Sequence, residues 1–153
     1  MDLRAKLQAS IKDAMKAKDS ARLSTLRLIA AAVKDREIAL RGGDNNGELT
    51  DADLMAILSR MVKQRQESAK AYEEGGRLEL AQNEEDEIKI VQEFLPRQLD
   101  EAETATAIDG VIGDLGATSI RDMGRVMAEL RERFAGQMDF GAVGPMVKSR
   151  LLN

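Results

Sequence analysis

Cysteine, histidine and tryptophan are absent from this sequence, and aromatic residues are limited to one tyrosine and three phenylalanines. Without cysteine there is no disulfide, no thiolate nucleophile and no zinc–thiolate site. Without histidine the commonest general base and the commonest transition-metal ligand are missing. Only Pro96 and Pro145 interrupt the chain with proline. No apolar run approaches the ~20 residues that a membrane-spanning helix needs. The opening MDLRAKLQAS has neither an apolar signal core nor a cleavage pattern. These absences set the expectation of a cytoplasmic protein with no membrane, metal or cofactor.

What is present is aliphatic and charged. Hydrophobic residues make up 43% of the chain, enough for a packed core, and with so few rings that core is built from Leu, Ile, Val, Ala and Met. Ala, Leu, Glu, Lys, Arg and Met dominate, and these are the strong helix formers. The expected fold class is all-α. Charged residues reach 33%, above the usual quarter. The net charge of −4 counts against non-specific nucleic-acid binding by the whole chain, which needs a positive field, and leaves room for a local basic face.

Apolar periodicity divides the chain into helices. Leu3, Leu7, Ile11 and Met15 recur every four residues and predict a helix from Asp2, its cap, to about Lys18. Asp19 and Ser20 offer caps for a second helix, which carries Leu23, Leu26, Ala30 and Val33 and ends near Leu40 or Arg41. RGGDNNGELT follows, dense in turn residues, and is read as the most exposed and mobile piece. Thr50 with Asp53 resembles a capping box. Leu54, Ile57, Leu58, Met61 and Val62 then predict a long helix over 51–74. The Gly75–Gly76 pair can supply its left-handed end. A fourth helix is predicted from Arg77 to Phe94 or Leu95, stopped by Pro96. Two long helices joined by glycines read as an antiparallel hairpin.

Beyond LPRQLDEAE the pattern restarts. Asp100 and Glu103 form a second capping box for a helix ending at Gly116, and Thr118 or Ser119 starts the next. That next helix contains Gly124 beside Met123, and a mid-helix glycine suggests close approach of another helix. The last helix has Asp139 as cap, with either a kink at Pro145 or a start near Gly144. The domains are therefore expected to be 1–95, a helical hairpin within a four-helix unit, and 96–153, a small three-helix bundle.

Two kinds of constellation could carry function. Glu84 and Glu87, three apart in NEEDE, share a face with Ile88 and Val91 and need cationic partners. Arg27, Arg65 and Arg77 are the candidates, making a structural ion-pair network. A metal site of carboxylates on facing helices usually adds a Glu-x-x-His pattern, which this chain lacks. No phosphate loop, dinucleotide fingerprint or nucleophile elbow is present, so no catalytic residue is expected. Basic residues gather in KQRQESAK (Lys63, Arg65, Lys70) and in IRDMGRVMAELRER (Arg121, Arg125, Arg131), with Arg121 and Arg125 four apart on one helix face. A solvated, salt-bridged surface is one reading. Phosphate contact is the other.

The stretches LRAKLQASIKDAMKAKDSARLSTLRLIAAAVKDREI, KQRQESAKAYEEGGRLELAQNEEDEIKIVQEFLPRQL and IRDMGRVMAEL resemble the YqeY family. They are also similar to the related C-terminal tail region of GatB, the B subunit of glutamine-dependent aminoacyl-tRNA amidotransferases. The resemblance covers nearly the whole chain. Its most specific part runs from Arg65 and Ser68 through Gly75–Arg77, Glu84 and Glu87 to Leu95–Pro96, with Asp122–Met127 beyond. Phe94 stands where tyrosine is the more frequent residue of the family, a mild departure.

That resemblance implies a helical hairpin unit followed by a three-helix unit. It further implies a stand-alone tail-like module that binds tRNA or a tRNA-handling enzyme. For phosphate contact in such a role the basic residues Arg121, Arg125, Arg131 and Lys148 are the first candidates, and Lys63, Arg65 and Lys70 the second. Kinship links such chains to carbon–nitrogen ligase activity with glutamine as amide donor, a label inherited from the multidomain relative. A protein-interaction adaptor with no nucleic-acid role is the alternative.

Overall fold

The computed structural model describes residues 2–43 and 47–152. Seven α-helices account for most of them: α1 (Leu3–Ala17), α2 (Ser20–Ala39), α3 (Asp51–Glu74), α4 (Leu78–Gln92), α5 (Glu101–Leu115), α6 (Met123–Arg133) and α7 (Phe140–Leu152). No strand occurs among the described residues. The chain divides into two compact units, Met1–Pro96 and Arg97–Asn153. The mobility expected of RGGDNNGELT falls partly on residues 44–46, which lie outside the described residues.

In the first unit the helix ends are set locally. The Asp2 and Asp19 carboxylates accept the N–H groups of Ala5 and Arg22 at 2.7 and 3.1 Å, satisfying donors that a helix start leaves open. Thr50 and Asp53 exchange both capping-box bonds, at 2.9 and 3.1 Å. α3 ends in a Schellman turn, with Gly76 N–H donating to the Glu73 carbonyl and Arg77 N–H to that of Tyr72. The left-handed residue of the pair is Gly76, at φ +74°. α4 stops at Gln92, two or three residues short of the expected end. Phe94 and Leu95 instead donate to the carbonyls three residues back, because Pro96 disfavours α geometry before it and the chain tightens to a 3₁₀ turn.

The core of this unit is one cluster. Leu7 from α1 and Leu26 and Ile29 from α2 pack with Leu54 and Leu58 of α3 and with Val91 and Phe94 at the end of α4. These positions occupy the first half of α3 and the second half of α4. In the outer half of the hairpin the buried side chains are Ala69 and Ala81, which belong to no larger cluster. The hairpin therefore carries a thin two-helix arm whose end exposes Leu78 and Leu80.

The second unit encloses its own core of Ile108, Val111, Val126, Leu130, Val143 and Val147. Asp100 and Glu103 close a capping box at 3.2 and 2.7 Å. Two expectations change here. Thr118 and Ser119 do not open an α-helix directly: their N–H groups donate to the Asp122 carboxylate, and Ile120–Asp122 forms a 3₁₀ turn ahead of α6. α7 begins at Phe140, ahead of Gly144, because the Asp139 carboxylate accepts the Gly141 N–H at 3.0 Å. Pro145 lies inside this helix. It removes one backbone donor, while Val143, Val147 and Leu151 bury one continuous stripe.

Candidate nucleic-acid interface

The carboxylate cluster of NEEDE resolves into one ion pair and one neighbour. Arg65 Nε donates to Glu87 Oε2 at 3.0 Å, bridging α3 to α4, and its Nη1 reaches the Met61 carbonyl at 3.3 Å. The Arg65 side chain is only 15% exposed, so this guanidinium is committed to the hairpin. Glu84 has no such partner among the described residues. Burial pushes its carboxyl above the usual range, Glu87 pushes it further, and Arg65 partly offsets both. The other two members of the expected network lie elsewhere. Arg27 and Arg77 are exposed and form no ion pair among the described residues. Arg27 follows the buried Leu26, and a one-residue step turns a helix side chain by about 100°, away from the core. Arg77 is the N-cap of α4.

Of the cations on the second unit, several are compensated. Arg125 donates to Asp122 at 3.0 Å. Arg131 sits 5.8 Å from the centre of the Phe140 ring, a distance at which a guanidinium is attracted to the ring face. Arg133 spans Glu129 and Asp114 at 2.7 and 2.8 Å, and Arg150 holds Asp109 at 2.6 Å. Arg121 and Lys148 remain exposed with no ion pair among the described residues. Arg121 lies in the 3₁₀ turn and Arg125 in α6, so the two do not share one α-helix.

Gly124 also departs from expectation. A Cβ built there meets nothing within 4 Å, so among the described residues no helix packs closely against it. The signal read as close packing was a solvent-facing glycine.

Lys63 and Lys70 are exposed on α3. Lys70 belongs to the arm, where residues 66–86 hold seven carboxylates against two cations. That balance repels phosphate.

Sequence reasoning passed over a different surface. Residues 2–41 contain ten Lys and Arg but five Asp and Glu. The structure decides how much of that excess is free. Arg4 pairs with Glu37. Arg22 takes Glu93 with both terminal nitrogens, at 2.6 and 3.0 Å. Lys6 donates to the Glu93 carbonyl at 2.9 Å and lies over the Phe94 ring. The signal that could have found the remainder is a running count of charge along the chain.

Among the described residues no group of three or more acidic side chains is arranged to hold a metal ion, and no helix is long and apolar enough to cross a membrane.

Comparison with known proteins gives a consistent picture. The family described as Yqey-like protein matches residues 4–151. A Lachancea thermotolerans protein named "Altered inheritance of mitochondria protein 41, mitochondrial" is 29% identical, over 99% of this chain and 80% of that protein. Its namesake in Clavispora lusitaniae is 28% identical, over 94% of this chain and 81% of its own length. The namesake in Eremothecium gossypii is 34% identical over 61% of this chain and 49% of its own.

Proposed function

This chain belongs to the YqeY family, and on that premise we propose that it is a stand-alone RNA-binding module, serving tRNA or an enzyme that handles tRNA, with no catalytic centre of its own. The observation that carries the proposal is the pair of exposed cations on the second unit, Arg121 and Lys148, which have no ion pair among the described residues. Arg125 and Arg131 lie in the same unit as secondary contacts. RNA helices are recognised largely through phosphate and 2′-OH groups, and exposed cations meet that need without aromatic stacking. The carbon–nitrogen ligase link is, in this reading, a property of multidomain relatives. A cytoplasmic location belongs to the same proposal, and the relatives above bear mitochondrial names, so fractionation of the cell of origin discriminates between the two compartments.

The test is a tRNA mobility-shift titration at several salt concentrations. The Arg121→Glu/Lys148→Glu variant is expected to bind at least tenfold more weakly with an unchanged circular-dichroism spectrum. Undiminished binding removes this pair as a contact. The purified chain is expected to show no glutaminase or transamidation turnover.

One observation favours the adaptor reading. Leu78 is 68% exposed at the end of the arm, where an apolar side chain gains nothing from water. Recovery of a protein partner that resists nuclease and high salt, and is lost on Leu78→Asp, would favour it over RNA.

A further inference from the structure

We propose that the outer face of the α1–α2 pair is a docking surface for the phosphate backbone of an RNA duplex. The inference rests on the RNA reading above and adds a second contact face, in the first unit.

The argument is one of uncompensated charge. Of the five acids in residues 2–41, three are already engaged. Asp2 and Asp19 cap helices, and Glu37 pairs with Arg4. Asp13 and Asp35 are left. Of the ten cations, Arg4, Lys6 and Arg22 are engaged within the unit. Lys12, Lys16, Lys18, Arg27, Lys34, Arg36 and Arg41 are all exposed, with no side-chain partner among the described residues.

Their positions match a continuous surface. Lys12 and Lys16 are one turn apart on α1, on the side away from the buried Leu7 and Ala14. Arg27 and Lys34 are two turns apart on α2, on the solvent side of the helix that buries Leu26, Ile29 and Val33. α1 and α2 run antiparallel, joined through Lys18 and Asp19 at one end and tied by Arg4–Glu37 at the other. Four cations are thereby held on two rigid helices, which requires little ordering on binding.

The chemistry of the face selects the ligand. Residues 2–41 contain no aromatic residue, so there is no platform for stacking unpaired bases. The exposed apolar side chains, Met15, Leu28 and Ile38, stand singly, and no aromatic anchors them at a lipid interface. Phosphates presented in a regular row, as on a duplex stem, fit such a surface. Binding of this kind is sequence-independent and strongly salt-dependent.

The experiment uses the ¹⁵N-labelled full chain, titrated separately with unfractionated tRNA, single-stranded polyuridylate and anionic phospholipid vesicles. A Lys12→Gln/Lys16→Gln/Arg27→Gln/Lys34→Gln variant is compared with an Arg121→Gln/Lys148→Gln variant. The expected result is chemical-shift change on α1 and α2 with tRNA, stronger than with polyuridylate. The α1–α2 variant is expected to lose at least tenfold in tRNA affinity at unchanged melting temperature. Its log–log salt slope should fall by roughly 3.6, at about 0.9 for each of four lost phosphate contacts. Full affinity in the α1–α2 variant, with loss only in the Arg121/Lys148 variant, overturns this face and leaves the RNA reading standing. No tRNA binding by the unaltered chain, or binding to vesicles alone, overturns both. Tighter binding of polyuridylate overturns the duplex assignment.

Discussion

The Arg65 guanidinium donates to Glu87 across the hairpin at 3.0 Å while Glu84, one turn back on α4, is left beside the pair with no ion pair of its own among the described residues. One cation thus serves two carboxylates. Replacing Arg65 with Met keeps the apolar stem and removes the charge. The expected cost is about 1–2 kcal/mol at pH 7, since the lost bond is charge-assisted and mostly shielded from water. The loss should shrink in acid, where Glu84, whose carboxyl is held above its usual range, takes up a proton and no longer needs the charge of Arg65. Urea melts at pH 7 and pH 3.5 provide the comparison.

Glu84→Gln is expected to act in the opposite direction. Burial and Glu87 hold the Glu84 carboxyl above its ordinary value. Its contribution is therefore fully favourable below the pKa of the unfolded chain and is lost as pH rises through the higher folded-state value. At pH 7 the ionised group is a net burden, so the amide should raise stability by roughly 0.5 kcal/mol or less. That gain should vanish at low pH. A stabilisation independent of pH would point to a cause other than charge.

Two glycines predict opposite signs. Gly124 has helical surroundings and open space, so Gly124→Ala should stabilise by up to ~1 kcal/mol through helix propensity. Gly76 also has open space but sits at φ +74°, where a Cβ costs about 1–2 kcal/mol. Gly76→Ala should therefore destabilise. Thermal melts of the two variants under one set of conditions decide both.

Arg97 grips Glu103 with two bonds, at 2.8 and 2.7 Å. That contact, joined by the Asp100 N–H, pulls the Glu103 carboxyl down to about 2. A depressed value of this kind gives stability that is present above the unfolded-state pKa and fades as pH falls through about 2. Carboxyl NMR should show Glu103 titrating near that value. Arg97→Ala should move the midpoint upward while the Asp100 cap keeps it below the ordinary carboxylate range.

Across α2 and the end of α4, the Arg22–Glu93 pair joins residues 71 apart. Both side chains remain partly exposed, at 29% and 46%. A double-mutant cycle with Arg22→Ala and Glu93→Ala should return a coupling of about 0.5–1 kcal/mol, reduced by salt. A coupling near zero would assign the geometry to helix packing alone.

The sequence by itself determined the helices and most of their ends. Asp2, Asp19, Thr50 with Asp53, and Asp100 with Glu103 act on residues three positions away, so their effect is readable without the fold. Apolar spacing likewise marked Leu7, Leu26, Leu54 and Leu58 as core. Only the tertiary structure decided which charges are consumed. Arg22 finds Glu93, Arg150 finds Asp109, and Arg27 finds no ion-pair partner among the described residues. Those outcomes depend on the angle at which one helix presents a side chain to another, and spacing along a single helix does not contain that angle. The same holds for Gly124, whose openness is a property of its neighbours. A running count of charge places the excess in residues 2–41; which of those cations stay without an ion pair among the described residues came from the packing.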